Sequence, residues 1–406
     1  MYSFSISTIS KILYLLPISL ISGSFFPDLI IIFSSIIFIF CSVLKKEYKY
    51  YKNLITNIFW IWCIYLIFTS LISSNPMMSL ESSLFYFRFG FFVLSIWYIA
   101  DHNKNFVKYF ILSIAISFSF IIADGYYQFF TGNNFFGYFY DGIRLSSLFG
   151  EEQILGSYLS RILPIFFGLV FYQYYNSKKI LTFAMLILVL SGILIYLSGE
   201  RSAFFYLLLS LIIILLFIKE WRNYLTISVI IALFLIIAIS ITNSSTKERM
   251  IDKTFEEINV FSEGKMNAFS PAHQEFYNTS FKIISKNYIF GIGPKLFRYE
   301  CKKYENLEGH RCGTHPHNSY IQLLTETGIF GFLAILCAFL FVIFIYLRQS
   351  YFMIFKKINY LENHTILLYL SILITLWPLV PTGNFFHNWL NVIYFLPMGF
   401  ILHMKK

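Results

Sequence analysis

Long uninterrupted runs of apolar residues dominate this chain, and short polar connectors break them at nearly regular intervals. A run of about twenty apolar residues is the length an α-helix needs to cross a bilayer core. On that basis the pattern predicts about twelve spans, at 6–24, 27–44, 54–73, 80–100, 106–123, 154–173, 180–197, 203–218, 224–242, 319–347, 363–381 and 387–404. The expected fold class is all-α, a polytopic transmembrane helical bundle with one large external loop. The organisation is 1–242 as helices one to nine, 243–318 as the large loop, and 319–406 as helices ten to twelve.

Composition agrees with this. Hydrophobic residues make up 57% of the 406 positions and charged residues 13%, more apolar surface than a water-soluble fold of this size can bury. Basic connectors follow alternate spans: Lys45, Lys46, Lys49 and Lys52; Lys104 and Lys108; Lys178 and Lys179; Lys219 and Arg222; Arg348, Lys356 and Lys357; Lys405 and Lys406. The positive-inside rule therefore predicts two cytoplasmic termini and a large loop on the opposite side. The net charge of +10 then records orientation and gives no reason to expect nucleic-acid binding. The first apolar segment lacks a basic leader and a small-x-small site, so it is expected to be an uncleaved anchor.

The large loop carries 11 Lys/Arg against 9 Asp/Glu, so it is expected to be a folded or docked element and not a polybasic tail. Cys301 and Cys312 lie in it, on the side where thiols oxidise, and are expected to form a disulfide. Cys41, Cys63 and Cys337 fall inside spans and are expected to be packing residues. The cysteine and histidine spacing fits no zinc pattern, and the chain contains no Asp-x-Asp pair, so no metal and no cofactor are expected.

Candidate chemistry gathers at the loop side. Thr314-His315-Pro316-His317-Asn318-Ser319-Tyr320 ends the large loop just before the tenth span. Imidazoles there can handle protons near neutral pH at a membrane face. Asn318 can cap the following helix, and Gln322 and Glu326, four apart, share one face of it. Arg201, in Leu197-Ser198-Gly199-Glu200-Arg201-Ser202, could hold a diphosphate through both arms of its guanidinium, or snorkel beside Glu200. Arg88 and Arg161 are charges within spans, which mark substrate paths or internal ion pairs. Asp124, Asp141, Arg144 and Glu151 are grouped in the 124–153 loop as substrate contacts or mutual partners, and Arg298 adds a cation after the Phe290-Gly291-Ile292-Gly293-Pro294 turn.

The order of these pieces resembles the O-antigen ligase/polymerase superfamily. The residues that carry the resemblance are the Ser198–Ser202 turn, Gly291-Ile292-Gly293-Pro294-Lys295-Leu296-Phe297, and His315 through Gly331. Arg144-Leu145 to Phe149-Gly150-Glu151, continuing to Gly156-Ser157-Tyr158, is similar to the family's earlier external loop. The resemblance implies a metal-independent inverting glycosyltransferase of the bacterial inner membrane, with its site facing the periplasm. It implies an undecaprenyl diphosphate-linked glycan as donor, and either lipid A core or a second lipid-linked glycan as acceptor. His317 then matches the catalytic histidine and Arg201 the diphosphate-binding arginine, with His315, Asn318, His273, Arg298, Arg144, Arg161, Arg88 and Glu326 as substrate-binding candidates. The chain departs from the family at His273, where many ligases carry a second arginine, with Tyr277 in place of a tryptophan. Arg298, Lys295 or Arg144 are the cations available to stand in. A protein-directed transferase is a third acceptor option. A twelve-span transporter or lipid flippase is the reading from a different class, although the two halves show no internal repeat.

Overall fold

The computed structural model describes residues 2–256 and 270–405. The 257–269 part of the large loop, Met1, and Lys406 of the basic C-terminal pair lie outside that description. Among the described residues the architecture is all-helical, and the single β contact is an isolated bridge between Asn133 and Phe139.

The principal helices are α1 (Tyr2–Tyr14), α2 (Phe25–Leu44), α3 (Leu54–Leu71), α4 (Pro76–Ser83), α5 (Arg88–His102), α6 (Phe106–Thr131) and α7 (Leu155–Tyr174). They continue as α8 (Lys178–Leu197), α9 (Arg201–Phe217), α10 (Arg222–Thr242), α11 (Pro271–Asn287), α12 (Ser319–Tyr351), α13 (Asn363–Thr375) and α14 (Asn388–Met404). Among the described residues, eight helical segments are long and apolar enough to cross a membrane. The four remaining expected spans are helical but shorter: Ile6–Ser19, α9, α13 and α14. The chain is a polytopic helical membrane protein.

α7 sits at the centre, packed against α8, α9 and α13, with every side chain from Leu159 to Val170 buried. α10 is the opposite case. Its Ile230, Phe234, Ile237 and Ile241 lie exposed on the bundle, the expected state of a helix that faces lipid. Of the three cysteines outside the disulfide, Cys41 and Cys63 are buried, whereas Cys337 lies exposed on α12.

One expectation needs correction here. Asp124 does not belong to an external loop, because α6 runs on to Thr131 and Gly132 caps it at φ +84°. The Asp124 carboxylate is buried and accepts from Phe135 N–H (2.8 Å) and Ser147 Oγ–H (2.8 Å), so it pins the loop that follows. A buried carboxylate held by two donors has its acceptor capacity spent on the fold.

The large loop is docked rather than free. Phe276, Tyr277 and Ile283 of α11 join Ile292, Leu296, Phe297 and Cys301 in a small separate core beside α12. Cys301 and Cys312 are disulfide-bonded, with Cα atoms 5.0 Å apart.

Candidate active site

Asn318 sets the geometry of the histidine segment. Its side chain accepts from Tyr320 N–H (2.9 Å) and Ile321 N–H (3.1 Å), capping α12, while its amide donates to the Pro378 carbonyl (2.8 Å). The cap fixes where the chain enters the helix, so His317 immediately before it takes φ +58°. A left-handed backbone is costly for any residue with a Cβ. The main chain holds it there through Thr382, whose N–H donates to the His317 carbonyl at 2.8 Å.

Three imidazoles meet as a result. The His315 and His317 ring centres are 4.1 Å apart and those of His273 and His317 5.8 Å, with Phe276 5.0 Å from His317 on another side. His273 is oriented by Ser270 Oγ (2.6 Å), and His315 by Thr314 Oγ1 (2.9 Å) and the Thr382 carbonyl (3.3 Å). Burial pushes the His317 pKa down to about 4, helped by the fields of His273 and Arg311. Burial and the neighbouring His317 push His315 down to about 3. Both rings are therefore neutral at pH 7 and able to accept a proton.

The Gly-x-Gly turn proves to be a lock between two backbones. Gly291, at φ +70°, lies against the Glu326–Thr327 peptide, and Gly328, at φ +68°, lies against the Ile289 carbonyl and interrupts α12. Gly293 N–H donates to the Glu326 carbonyl at 2.8 Å. The Glu326 side chain is buried, accepting from Phe297 N–H (3.1 Å) and Gln322 Nε2–H (2.9 Å). The structure thus places Glu326 under the turn that carries Lys295 and Arg298.

Arg201 opens α9 at a second cluster. Arg249 Nε donates to the Gly199 carbonyl (2.9 Å), and Arg144 donates to the carbonyls of Ser198 (3.5 Å) and Gln153 (3.0 Å). Burial, then the charges of Arg144 and Arg201, press the Arg249 guanidinium below its usual pKa. Glu200 points to α7 instead, accepting from Gly156 N–H (2.7 Å), Ser157 N–H (3.2 Å) and Ser157 Oγ–H (2.6 Å). Three guanidiniums, those of Arg144, Arg201 and Arg249, thus lie around one turn, with the carboxylates of Asp141 and Glu200 near enough to act on Arg249, and guanidiniums are the groups that grip phosphate oxygens through two donors at once.

A run of buried polar groups leads from this turn toward the histidines. Ser157, bonded to Glu200, gives its carbonyl to Arg161 (3.3 Å), whose guanidinium lies 4.7 Å from the centre of the Tyr206 ring. On the histidine side, the Tyr394 hydroxyl meets Ser319 Oγ at 3.5 Å. Ser319 in turn bonds Thr382 Oγ1 at 2.9 Å. Arg161 Nε has no hydrogen-bond partner among the described residues, an uncommon state for a buried guanidinium.

The expected residues thus fall into three groups. His315, His317, His273 and Asn318 come together, with Arg298 felt electrically at His315. Arg201 and Arg144 share the second cluster, and Arg161 lies between the two. Arg88 stands apart in an ion pair with Asp28 (2.8 Å) and donates to Asn388 Oδ1 (2.8 Å). Sequence reading passed over Arg249 and Thr382. Neither sits in a motif, and only the fold brings them to the site.

A comparison with curated proteins finds no match. Residues 186–336 match the family model described as O-antigen ligase, a stretch that holds Arg201, Arg249, His273, His315, His317 and Glu326. The match over residues 186–336 supports the resemblance to the O-antigen ligase/polymerase superfamily read from the sequence.

Proposed function

We propose that this protein moves a glycan from undecaprenyl diphosphate to an acceptor hydroxyl, with inversion and without a metal, at the membrane face that bears the large loop. The acceptor is lipid A core in the ligase form of the reaction and a second carrier-linked glycan in the polymerase form. The membrane is taken to be the bacterial inner membrane, with the site open to the periplasm.

The observation that carries this reading is the neutral His317 imidazole, held by a capped helix and a left-handed backbone beside two further imidazoles. The acceptor oxygen bonds to the anomeric carbon as that carbon's bond to the phosphate oxygen breaks. The bonding pair leaves with the diphosphate, and the hydroxyl proton passes to His317. Burial, His273 and Arg311 all disfavour a charged His317, so proton uptake becomes easy only beside a fresh anion. Arg201, with Arg144 and Arg249, stabilises the charge that builds on the diphosphate.

The test is transfer by purified protein from a synthetic undecaprenyl diphosphate oligosaccharide, offered lipid A core and a second carrier-linked glycan separately. His317→Ala should lower transfer about 10²–10⁴-fold, the usual contribution of a positioned acid or base, with the protein still folded. Normal transfer by that variant would remove His317 from the mechanism. The acceptor consumed by the wild type decides between ligase and polymerase.

A further inference from the structure

The loop that follows α6 is built inside out. Nine of the sixteen residues from 125 to 140 are aromatic, against 21% of the whole chain, and none of the sixteen is charged. Phe130, Phe135, Phe136 and Phe139 are between 58% and 78% exposed, whereas the polar Asp124, Gln128 and Asn134 are buried. A loop bathed in water sorts its side chains the other way, and apolar rings grouped this densely on a surface mark an interaction site.

The buried polar groups are spent on the loop's own backbone. Asp124 accepts from Phe135 N–H (2.8 Å), and Asn134 Oδ1 accepts from Phe136 N–H (2.9 Å) and Tyr138 N–H (2.8 Å). The Tyr138 carbonyl accepts from Gln128 Nε2–H (3.1 Å) and Asn134 N–H (3.0 Å), and Tyr140 N–H donates to the Gly132 carbonyl (2.8 Å). An apolar medium demands internal pairing of this kind, because it offers no partner to an N–H or a C=O.

The position of the loop names the medium. From Lys108 to Thr131 α6 rises about 35 Å, and from Arg222 to Thr242 α10 rises about 30 Å, against a hydrocarbon core about 30 Å thick. Both helices start among basic residues, so Thr131 and Thr242 stand at the far margin of the core. Tyr140 joins the two ends, its hydroxyl accepting from Asn243 Nδ2–H (3.2 Å) just past α10. The lipid-facing stripe of α10 runs out to Ile241, so the exposed phenylalanines continue a surface that already meets lipid. A carbohydrate platform also uses exposed rings, but it sets polar side chains beside them for the sugar hydroxyls. Here Asp124, Gln128 and Asn134 are turned inward.

We propose that this loop is a membrane finger, with Phe130, Phe135, Phe136 and Phe139 seated in the headgroup–acyl boundary of the leaflet on the large-loop side. Aromatic rings favour that boundary, and an uncharged loop holds there by apolar contact alone. Arg144 stands four residues beyond Tyr140 and donates to the Ser198 carbonyl, so the seated finger fixes the depth of the guanidinium turn relative to the headgroups. Insertion does not depend on the transfer reaction.

Collision of a nitroxide label with oxygen, which concentrates in lipid, and with nickel ethylenediaminediacetate, which stays in water, tests the finger in full-length protein. Labels go on Phe130→Cys and Phe136→Cys, each with Cys337→Ser, since Cys41 and Cys63 are buried and Cys301 and Cys312 are bonded to each other. Phe130 is 78% and Phe136 77% exposed, so neither label displaces a core residue. Ile237→Cys on the lipid-facing side of α10 and Leu307→Cys in the large loop are the references. In nanodiscs of phosphatidylcholine alone, both finger sites should give an oxygen-to-nickel collision ratio nearer to that of Ile237→Cys than to that of Leu307→Cys. A ratio nearer to Leu307→Cys at either site would overturn insertion. Loss of nickel access only when a soluble oligosaccharide is added would overturn it too, in favour of a carbohydrate platform.

Discussion

His315 and His317, whose ring centres are 4.1 Å apart, both rest on the backbone of one residue: His315 Nε2 faces the Thr382 carbonyl at 3.3 Å, and the Thr382 N–H donates to the His317 carbonyl at 2.8 Å. Two imidazoles so close cannot both be charged cheaply. Their folded pKa values, about 3 and about 4, lie below the ordinary value near 6.5. Above that pH neither folded nor unfolded chain protonates them, and the stability they permit is complete. As pH falls from about 6.5 toward 4, the unfolded chain binds protons that the fold refuses, and stability drops. Burial raises the Glu200 carboxyl, so it titrates with the opposite sign. The readout is therefore the difference between proteins. The melting temperature of a His315→Gln/His317→Gln double variant should fall less between pH 6.5 and 4 than that of the wild type. Parallel profiles would show that the imidazoles are not held neutral.

The Cys301–Cys312 disulfide closes a short loop immediately before the histidines. Cross-linking a loop of this length restricts the unfolded chain by roughly 2–3 kcal/mol. Cys301→Ser/Cys312→Ser should therefore lower the melting temperature in non-reducing buffer, and reductant should bring the wild type to the same value. No shift with reductant would mean that the small core around Phe276 and Phe297 holds the loop without the bond.

What was legible in advance follows from the range of the forces involved. A bilayer compels long apolar runs, so each expected span contains a helix, although those at 6–24 and 363–381 are helical only as far as Ser19 and Thr375 and that at 80–100 is broken after Ser83. Asn318, just before the tenth span, reads directly as its cap. Asp124 was misplaced because a carboxylate at the end of an apolar run reads as a loop residue. Only the fold reveals Ser147 and the Phe135 amide waiting for it. Arg249 and Thr382 were invisible for the same reason, since each reaches its partners across 50 residues or more of chain. The Gly291–Gly328 lock lies between these cases. The glycines stand out in the sequence, but the backbone each must approach does not.

That lock can be tested by adding a methyl group. A Cβ at Gly291 would collide with the Glu326–Thr327 peptide, and one at Gly328 with the Ile289 carbonyl, each also in a left-handed backbone. Strain of about 1–2 kcal/mol and overpacking of about 1–3 kcal/mol should together leave little folded protein in either alanine variant. Gly142 separates the two causes, because its φ is +80° but nothing lies within 4 Å of an added Cβ. Gly142→Ala should lose only the strain. Size-exclusion profiles and melting curves of the three variants measure this, and equal losses in all three would mean that close approach plays no part.

The Arg249 prediction bears on the donor. Its Nε holds the Gly199 carbonyl at 2.9 Å, and its charge is opposed by Arg144 and Arg201 around the same turn. In the reaction proposed above, a diphosphate bound here would relieve that repulsion before the bond to sugar breaks, so the benefit would fall on binding as well as on the transition state. A charge-assisted hydrogen bond contributes about 1.5–3 kcal/mol, so Arg249→Gln should raise the donor KM about tenfold or more. It should change kcat less, and Arg249→Lys should recover part of the loss. The effect should shrink in high salt, because this arginine is only half buried and added ions screen it. Kinetics with varied donor at fixed acceptor decide the matter. A change confined to acceptor KM would move the diphosphate away from the Gly199 turn and onto the cations nearer His317.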